Sequence, residues 1–94
     1  MKCIILKEKR WGTNEYHLLE AAIKEAGDLV FEGVDSGDSV KERYGDFDFE
    51  YWYKVRADQV PKVLLFLLQE KFEKTSEIID WLKEKDIPFE SYSF

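Results

Sequence analysis

The strictest pattern in this sequence is the alternation of apolar with mostly charged residues across positions 47–56. Because successive side chains of a β-strand point to opposite faces, this alternation predicts a strand whose two faces differ in chemistry. One face carries an aromatic row made of Phe47, Phe49, Tyr51, Tyr53 and Val55. The other face carries Asp48, Glu50, Trp52, Lys54 and Arg56. We expect the aromatic row to pack beneath helices in the core, with Trp52 interrupting a charged outer face.

The first part of the chain predicts two more strands and two helices. A β-branched run from Cys3 to Leu6 predicts a strand within residues 2–9, and Leu29–Val34 predicts another. A helix is predicted over about 14–26, because apolar residues recur there at helical spacing, namely Leu18, Leu19, Ala22, Ile23 and Ala26. Residues 38–44 predict a short helix capped by Asp38 or Ser39.

The last part predicts two helices and a final strand. Asp58 would cap a helix that contains Pro61 in its first turn and whose apolar residues cover most of its circumference, so we expect burial on more than one side. A second helix begins near Thr75 or Ser76 and runs to about Lys85. Residues 87–94 close the chain as a strand, because Pro88 disfavours helix at the residue before it.

These elements predict an α+β fold of order β-α-β-β-α-α-β. The economical arrangement is a ferredoxin-like two-layer sandwich, with a four-stranded, mainly antiparallel sheet and a split second helix. Leu, Ile, Val and Phe make up 28 of the 94 residues, enough for a core. Residues 1–94 are therefore expected to form a single globular domain.

Composition excludes several classes of protein. The one cysteine, Cys3, cannot form an intramolecular disulfide, which favours a reducing compartment and a cytoplasmic location. The longest apolar run, Val63 to Leu68, is far shorter than the roughly 20 residues that span a bilayer, so no membrane is expected. The pI near 4.8 opposes phosphate binding, so no nucleic acid is expected.

The net charge of −6 is concentrated in one segment. Residues 28–50 contain eight acids and two bases, whereas the rest of the chain is neutral. This acidic region, with two aromatic residues among its carboxylates, predicts a docking surface for a basic protein. The predicted partner-binding residues are Asp35, Asp38, Glu42, Tyr44, Asp46, Asp48, Glu50 and Trp52. The alternative is a solvated edge whose charge keeps the sheet from pairing with neighbours.

No residue pattern points to catalysis, a metal or a cofactor, and none is expected. His17 and Cys3 could form a nucleophilic dyad, but no third group is evident that would orient the histidine, and Cys3 is expected to be a small core residue. A calcium loop counted from Asp35 has Val40 where glycine is needed and Asp46 where glutamate is needed. The aromatic strand lacks the basic residue that an RNA-binding strand of this type requires.

Two segments carry a resemblance to a known family. The acidic aromatic strand from Asp46 to Tyr53 and the closing segment with Trp81 and residues 87–90, in a small acidic chain, resemble small bacterial immunity proteins of toxin systems. The resemblance is one of general character along most of the chain. It implies a cytoplasmic inhibitor that occludes a basic toxin, often a nuclease, by presenting carboxylates where the toxin expects phosphates. It assigns no individual residues.

The sequence therefore predicts a non-enzymatic protein-binding module, and in particular an immunity-type inhibitor that docks a basic protein such as a toxin domain through an acidic hairpin. The alternative is a ferredoxin-like small-molecule-sensing or regulatory domain that acts as a homodimer through its open sheet face.

Overall fold

A computed structural model of the chain describes residues 3–92. The elements in chain order are β1 (Cys3–Trp11), β2 (Glu15–Ile23), β3 (Leu29–Ser36), α1 (Asp38–Tyr44), β4 (Asp48–Val55), α2 (Val60–Lys71) and α3 (Thr75–Glu84). The strands form one sheet in the order β1-β2-β3-β4, and each pair is antiparallel. The predicted α+β class and four-stranded antiparallel sheet are therefore confirmed. By packing, the chain forms two compact units, Met1–Pro61 and Lys62–Phe94.

The predicted ferredoxin-like order is wrong, because the segment expected to be the first helix is strand β2. Its paired apolar residues, such as Leu18 and Leu19, fit a helical stripe, but they equally fit a strand that is apolar on both faces. β2 lies between β1 and β3, so both of its backbone edges are hydrogen-bonded. Gly12, with φ 63°, lies in the turn that joins β1 to β2 as a hairpin.

The predicted final strand is also wrong over the residues that the structure describes. Asp86 adopts a left-handed conformation with φ 56°, and the Ile87 N–H donates to the Leu82 carbonyl oxygen at 2.9 Å, which ends α3. Residues 87–92 then continue without regular secondary structure. Ser93 and Phe94 lie outside the described residues.

The remaining elements are confirmed, but their burial is lower than predicted. The buried apolar side chains among the described residues are Ala21, Val30 and Val40. In the aromatic row, Phe49 and Tyr51 are half-buried, whereas Tyr53 is 68% exposed. Cys3, predicted to be a core residue, is exposed.

The predicted burial of α2 on more than one side is wrong as well, because four consecutive apolar residues of this helix are more than half exposed, Leu64, Leu65, Phe66 and Leu67. Within the second unit, Phe72 and Trp81 form an edge-to-face aromatic pair with ring centroids 5.8 Å apart.

The first turn of α1 is held by a carboxylate from the start of β2. The Glu15 side chain accepts hydrogen bonds from the Ser39 backbone N–H at 3.0 Å and from the Ser39 hydroxyl at 2.7 Å. Gly37, with φ 125°, occupies the N-cap position that was predicted for Asp38 or Ser39, and a Cβ there would collide with the Glu15 carboxylate. A side chain distant in sequence thus accepts the hydrogen bond that a local N-cap residue would otherwise accept.

We expect Glu15→Ala to lower the free energy of unfolding by about 0.5–2 kcal/mol, because it removes the capping acceptor of α1. The measurement is equilibrium denaturation in urea. Glu42→Ala, at an exposed position of the same helix, is the control and should change stability by less than about 0.5 kcal/mol. Equal effects of the two substitutions would contradict the capping role of Glu15.

The Tyr51 ring lies over Gly33, its cross-strand partner, where a Cβ would overlap the ring. We expect Gly33→Ala to displace the ring and to destabilise the chain by about 1 kcal/mol. In a Tyr51→Ala background the same substitution should instead stabilise by about 0.5–1 kcal/mol, because alanine restricts the unfolded chain. A double-mutant cycle measures this change of sign, and additive effects would contradict it.

Candidate functional site

The strand register separates the side chains of the sheet into two unlike faces. Glu20 lies opposite Glu32, and Glu32 lies opposite Trp52. In the next row Leu18 lies opposite Val34, and Val34 opposite Glu50. We call this side the acidic face; its carboxylates are Glu8, Glu20, Glu32, Asp48 and Glu50.

The opposite side, which we call the aromatic face, carries Phe31, Phe49, Tyr51 and Tyr53. Burial, with the Asp35 carboxylate as a smaller cause, raises the pKa of Tyr51. Tyr44 of α1 stacks on Phe49 with ring centroids 4.1 Å apart. The short helix therefore covers one end of the aromatic face.

The carboxylates of the acidic face are only partly compensated. Glu20 and Glu32 are direct cross-strand neighbours, an arrangement that opposes sheet formation when both are ionised. The Lys24 Nζ lies 3.3 Å from Glu32 Oε1, but both side chains are about half exposed, so solvent screens this pair. Asp48 and Glu50 form no ion pair within residues 3–92. The register also places two bases on this face, Arg10 and Lys54, against its five carboxylates, so the face retains a net negative charge.

The hydrogen bonds on this face shift two pKa values in the same direction. The Cys3 thiol donates to Glu20 Oε2 at 3.4 Å, and this bond, with the nearby carboxylate charge, raises the pKa of Cys3. The Tyr16 hydroxyl donates to Glu8 Oε2 at 2.7 Å, which raises the pKa of Tyr16. Both shifts arise because a carboxylate favours the neutral, donating form of its partner.

Trp52 is the prominent apolar group of the acidic face. Its side chain is 71% exposed, and its strand neighbours on the same face are Glu50 and Lys54. A shallow cavity of about 310 Å³ beside it is lined in part by Glu32, Val34 and Glu50. An exposed indole beside two carboxylates, Glu32 and Glu50, is suited to contact a partner that carries positive charge.

The structure brings together three of the predicted partner-binding residues, Asp48, Glu50 and Trp52, on the acidic face. Asp38 and Glu42 belong to α1, and Asp46 lies in the turn after it. Asp35 and Tyr44 lie with the aromatic face instead. The eight residues therefore do not share one surface.

Three carboxylates of the acidic face were not predicted, Glu8, Glu20 and Glu32. Glu20 was assigned to a helix, which concealed its position opposite Glu32. Once residues 15–23 are taken as a strand, the alternation of Tyr16, Leu18 and Glu20 places all three on one side. That alternation could have shown which side of β2 carries Glu20, whereas Glu8 and Glu32 join Glu20 only through the pairing of β2 with β1 and β3.

His17 has a partner that the sequence did not reveal. The Asp35 carboxylate lies within hydrogen-bonding distance of His17 Nδ1, directly across the β2–β3 ladder. Cys3 is on the acidic face and His17 on the aromatic face, so these two side chains do not form the dyad that was considered. His17 and Asp35 form a partly buried cross-strand pair instead.

Two further classes of feature are absent from residues 3–92. No group of three or more His, Cys, Asp or Glu side chains is arranged to hold a metal ion. None of the helices in this range combines the length and the apolar character that crossing a bilayer demands.

We expect Glu20→Gln to increase the alkylation rate of Cys3 at a pH below the ordinary thiol pKa. The substitution removes the charged acceptor that raises the pKa of Cys3, so the thiolate fraction increases. The pH profile of iodoacetamide labelling measures the shift, whose midpoint should move to lower pH. Glu8→Gln is the matched control and should leave the profile unchanged, since Glu8 binds Tyr16. Identical profiles for both variants and the unsubstituted chain would contradict the Cys3–Glu20 contact.

Comparison with known proteins gives no relative from which a role could be transferred: no protein-family model, curated protein or solved structure matches the chain.

Proposed function

We propose that this chain is a non-enzymatic protein-binding module that presents the acidic face of its sheet to a basic protein. The observation that carries the proposal is Trp52, 71% exposed on a sheet face that also bears five carboxylates. A large exposed aromatic residue contributes strongly to binding when a partner desolvates it. Surrounding carboxylates accelerate the approach of a basic partner and select against acidic ones.

The charge of the face suggests the kind of partner. A protein that binds nucleic acid contacts phosphates through Lys and Arg side chains, and carboxylates held on a sheet can bind the same basic side chains. An inhibitor of a basic toxin domain, of the immunity type, would work in this way by covering the toxin's basic surface. The same charge opposes nucleic acid as a ligand of this chain, and a cytoplasmic location fits its single thiol.

The proposed contact surface is centred on Asp48, Glu50 and Trp52 and extends to Glu20 and Glu32. Asp38 and Glu42 belong to α1 and Asp46 to the turn after it, so these three residues are not part of this surface. Asp35 and Tyr44 would contact the same partner only if it wrapped around the end of the sheet, because they lie on the other side.

A second candidate function is a small-molecule-sensing or regulatory domain. It is favoured by a cleft of about 540 Å³ beside α1, whose walls include Trp11, Tyr16 and Tyr44. That volume lies within the range of small-molecule sites. A metabolite that raises the melting temperature of the unsubstituted chain, but not that of Tyr44→Ala, would support this candidate over the first.

We expect Glu20→Lys combined with Glu32→Lys to slow association with the basic partner at least about tenfold at low salt and to flatten the salt dependence of the rate, because charge reversal removes electrostatic steering. The partner is first isolated from the source organism by affinity capture with salt elution, and its association is then measured by stopped-flow fluorescence of the purified proteins.

The matched control is Glu70→Lys combined with Glu84→Lys, which changes the net charge equally but on α2 and α3. Trp52→Ala should weaken the complex about 30-fold, the effect of roughly 2 kcal/mol at an interface anchor. Association that is equally fast for all four proteins would exclude the acidic face as the contact surface.

A further inference from the structure

Strand β4 is an edge strand of the sheet. It is hydrogen-bonded to β3 on one side, and no strand of residues 3–92 pairs with its other side. The edge at the opposite end of the sheet, β1, has an irregularity between Ile5 and Lys7 that interrupts regular pairing. β4 contains no proline, and its pairing with β3 is continuous over eight residues. An edge of this kind is a template for another strand.

The sequence of this edge is complementary to its own reverse. When two copies of the segment are aligned antiparallel with Trp52 opposite Trp52, Tyr51 lies opposite Tyr53 and Glu50 opposite Lys54. In the same alignment Phe49 lies opposite Val55, and Asp48 opposite Arg56. Each acid therefore meets a base, and each apolar residue meets another. Arg56 can take part because its backbone is extended, with φ −65° and ψ 151°.

The four charged residues of this segment are also free to pair. Asp48, Glu50, Lys54 and Arg56 are exposed. None of them forms an ion pair within the described part of the chain. Opposite charges at directly facing positions of an antiparallel ladder stabilise the pairing, and like charges oppose it.

We propose that two copies of this chain form a two-fold dimer in which β4 pairs antiparallel with β4 of the second copy, with the axis at Trp52. Such an interface is isologous, so each favourable contact occurs twice. Glu50 and Lys54 form two cross-strand pairs, and Asp48 and Arg56 form two more. Nine facing positions of an antiparallel ladder also supply about eight to ten backbone hydrogen bonds.

Other registers place fewer of these four charged residues opposite a residue of opposite charge. A parallel arrangement places acids beside acids and bases beside bases. Moving the axis to Tyr51 sets Glu50 opposite Trp52, which has no charge to offer. The axis at Trp52 is the one that pairs all four charged residues of the segment.

The dimer would be one continuous sheet of eight strands. Because directly facing side chains of a ladder lie on the same side, the two acidic faces would join, with the two Trp52 indoles beside each other at the axis. This inference shares Asp48, Glu50 and Trp52 with the proposed docking surface, but it rests on the pairing of the β4 edge and not on the docking function. A monomeric chain that still binds a basic protein would refute the dimer alone.

The first test exchanges the charges of each half of the edge. Asp48→Lys with Glu50→Lys makes all four positions basic, and Lys54→Glu with Arg56→Glu makes all four acidic. We expect the unsubstituted chain to sediment as a dimer of twice the 11.2 kDa chain mass. Each variant alone should have a dimer dissociation constant raised at least about tenfold, and an equimolar mixture of the two should recover the dimer.

The mixture separates a lost interface from a misfolded chain, because two misfolded variants would not restore each other. A monomeric unsubstituted chain, or variants that remain dimeric on their own, would overturn the proposal. The second of these results is what dimerisation through the aromatic face would give.

The second test fixes the register with a disulfide. In a Cys3→Ser background, Trp52→Cys should cross-link under mild oxidation, because facing Cα atoms of an antiparallel pair lie about 4.5–5.5 Å apart. Tyr51→Cys is the matched control and should not cross-link, since its counterpart would be offset by two positions. Efficient cross-linking of Tyr51→Cys, without that of Trp52→Cys, would show a different register and refute this one.

Discussion

The register of the antiparallel ladders determines nearly everything else about the first unit of this chain. Side chains of a strand alternate between faces, so a shift of one residue in any ladder would transfer a whole set of side chains to the other side. Gly33 pairs with Leu19 on one side and with Tyr51 on the other, so the residue without a side chain lies beneath the Tyr51 ring. The same register separates carboxylates from aromatic groups and sets the pairing of His17 with Asp35.

Much of this arrangement can be read from local patterns, and the exceptions have a physical cause. The alternation across 47–56 gave β4 and the correct division of its side chains. Residues 15–23 were misassigned because Leu18 and Leu19 are adjacent apolar residues, and such pairs satisfy both a helical stripe and a strand apolar on both faces. The choice between the two is made by backbone pairing with β1 and β3, which no local pattern contains.

The candidate site shows the same limit. The localisation of charge to residues 28–50 pointed to Asp48, Glu50 and Trp52, which do share a face. It could not show that Glu8 and Glu20 join them, since their contribution depends on the strand order. Nor could it show that Asp35 lies on the opposite side, where its carboxylate is within hydrogen-bonding distance of His17 Nδ1. Proximity in sequence and proximity on a surface coincide here only within β4.

Pairing of the strands in chain order also affects how the sheet folds during synthesis of the chain. Every ladder joins neighbours along the chain, so the sheet is built from contacts of short sequence separation, a topology associated with rapid folding. All four strands and the Glu15 contact that holds α1 are complete before residue 62. During synthesis every strand of the sheet and α1 are therefore translated before most of α2 and all of α3.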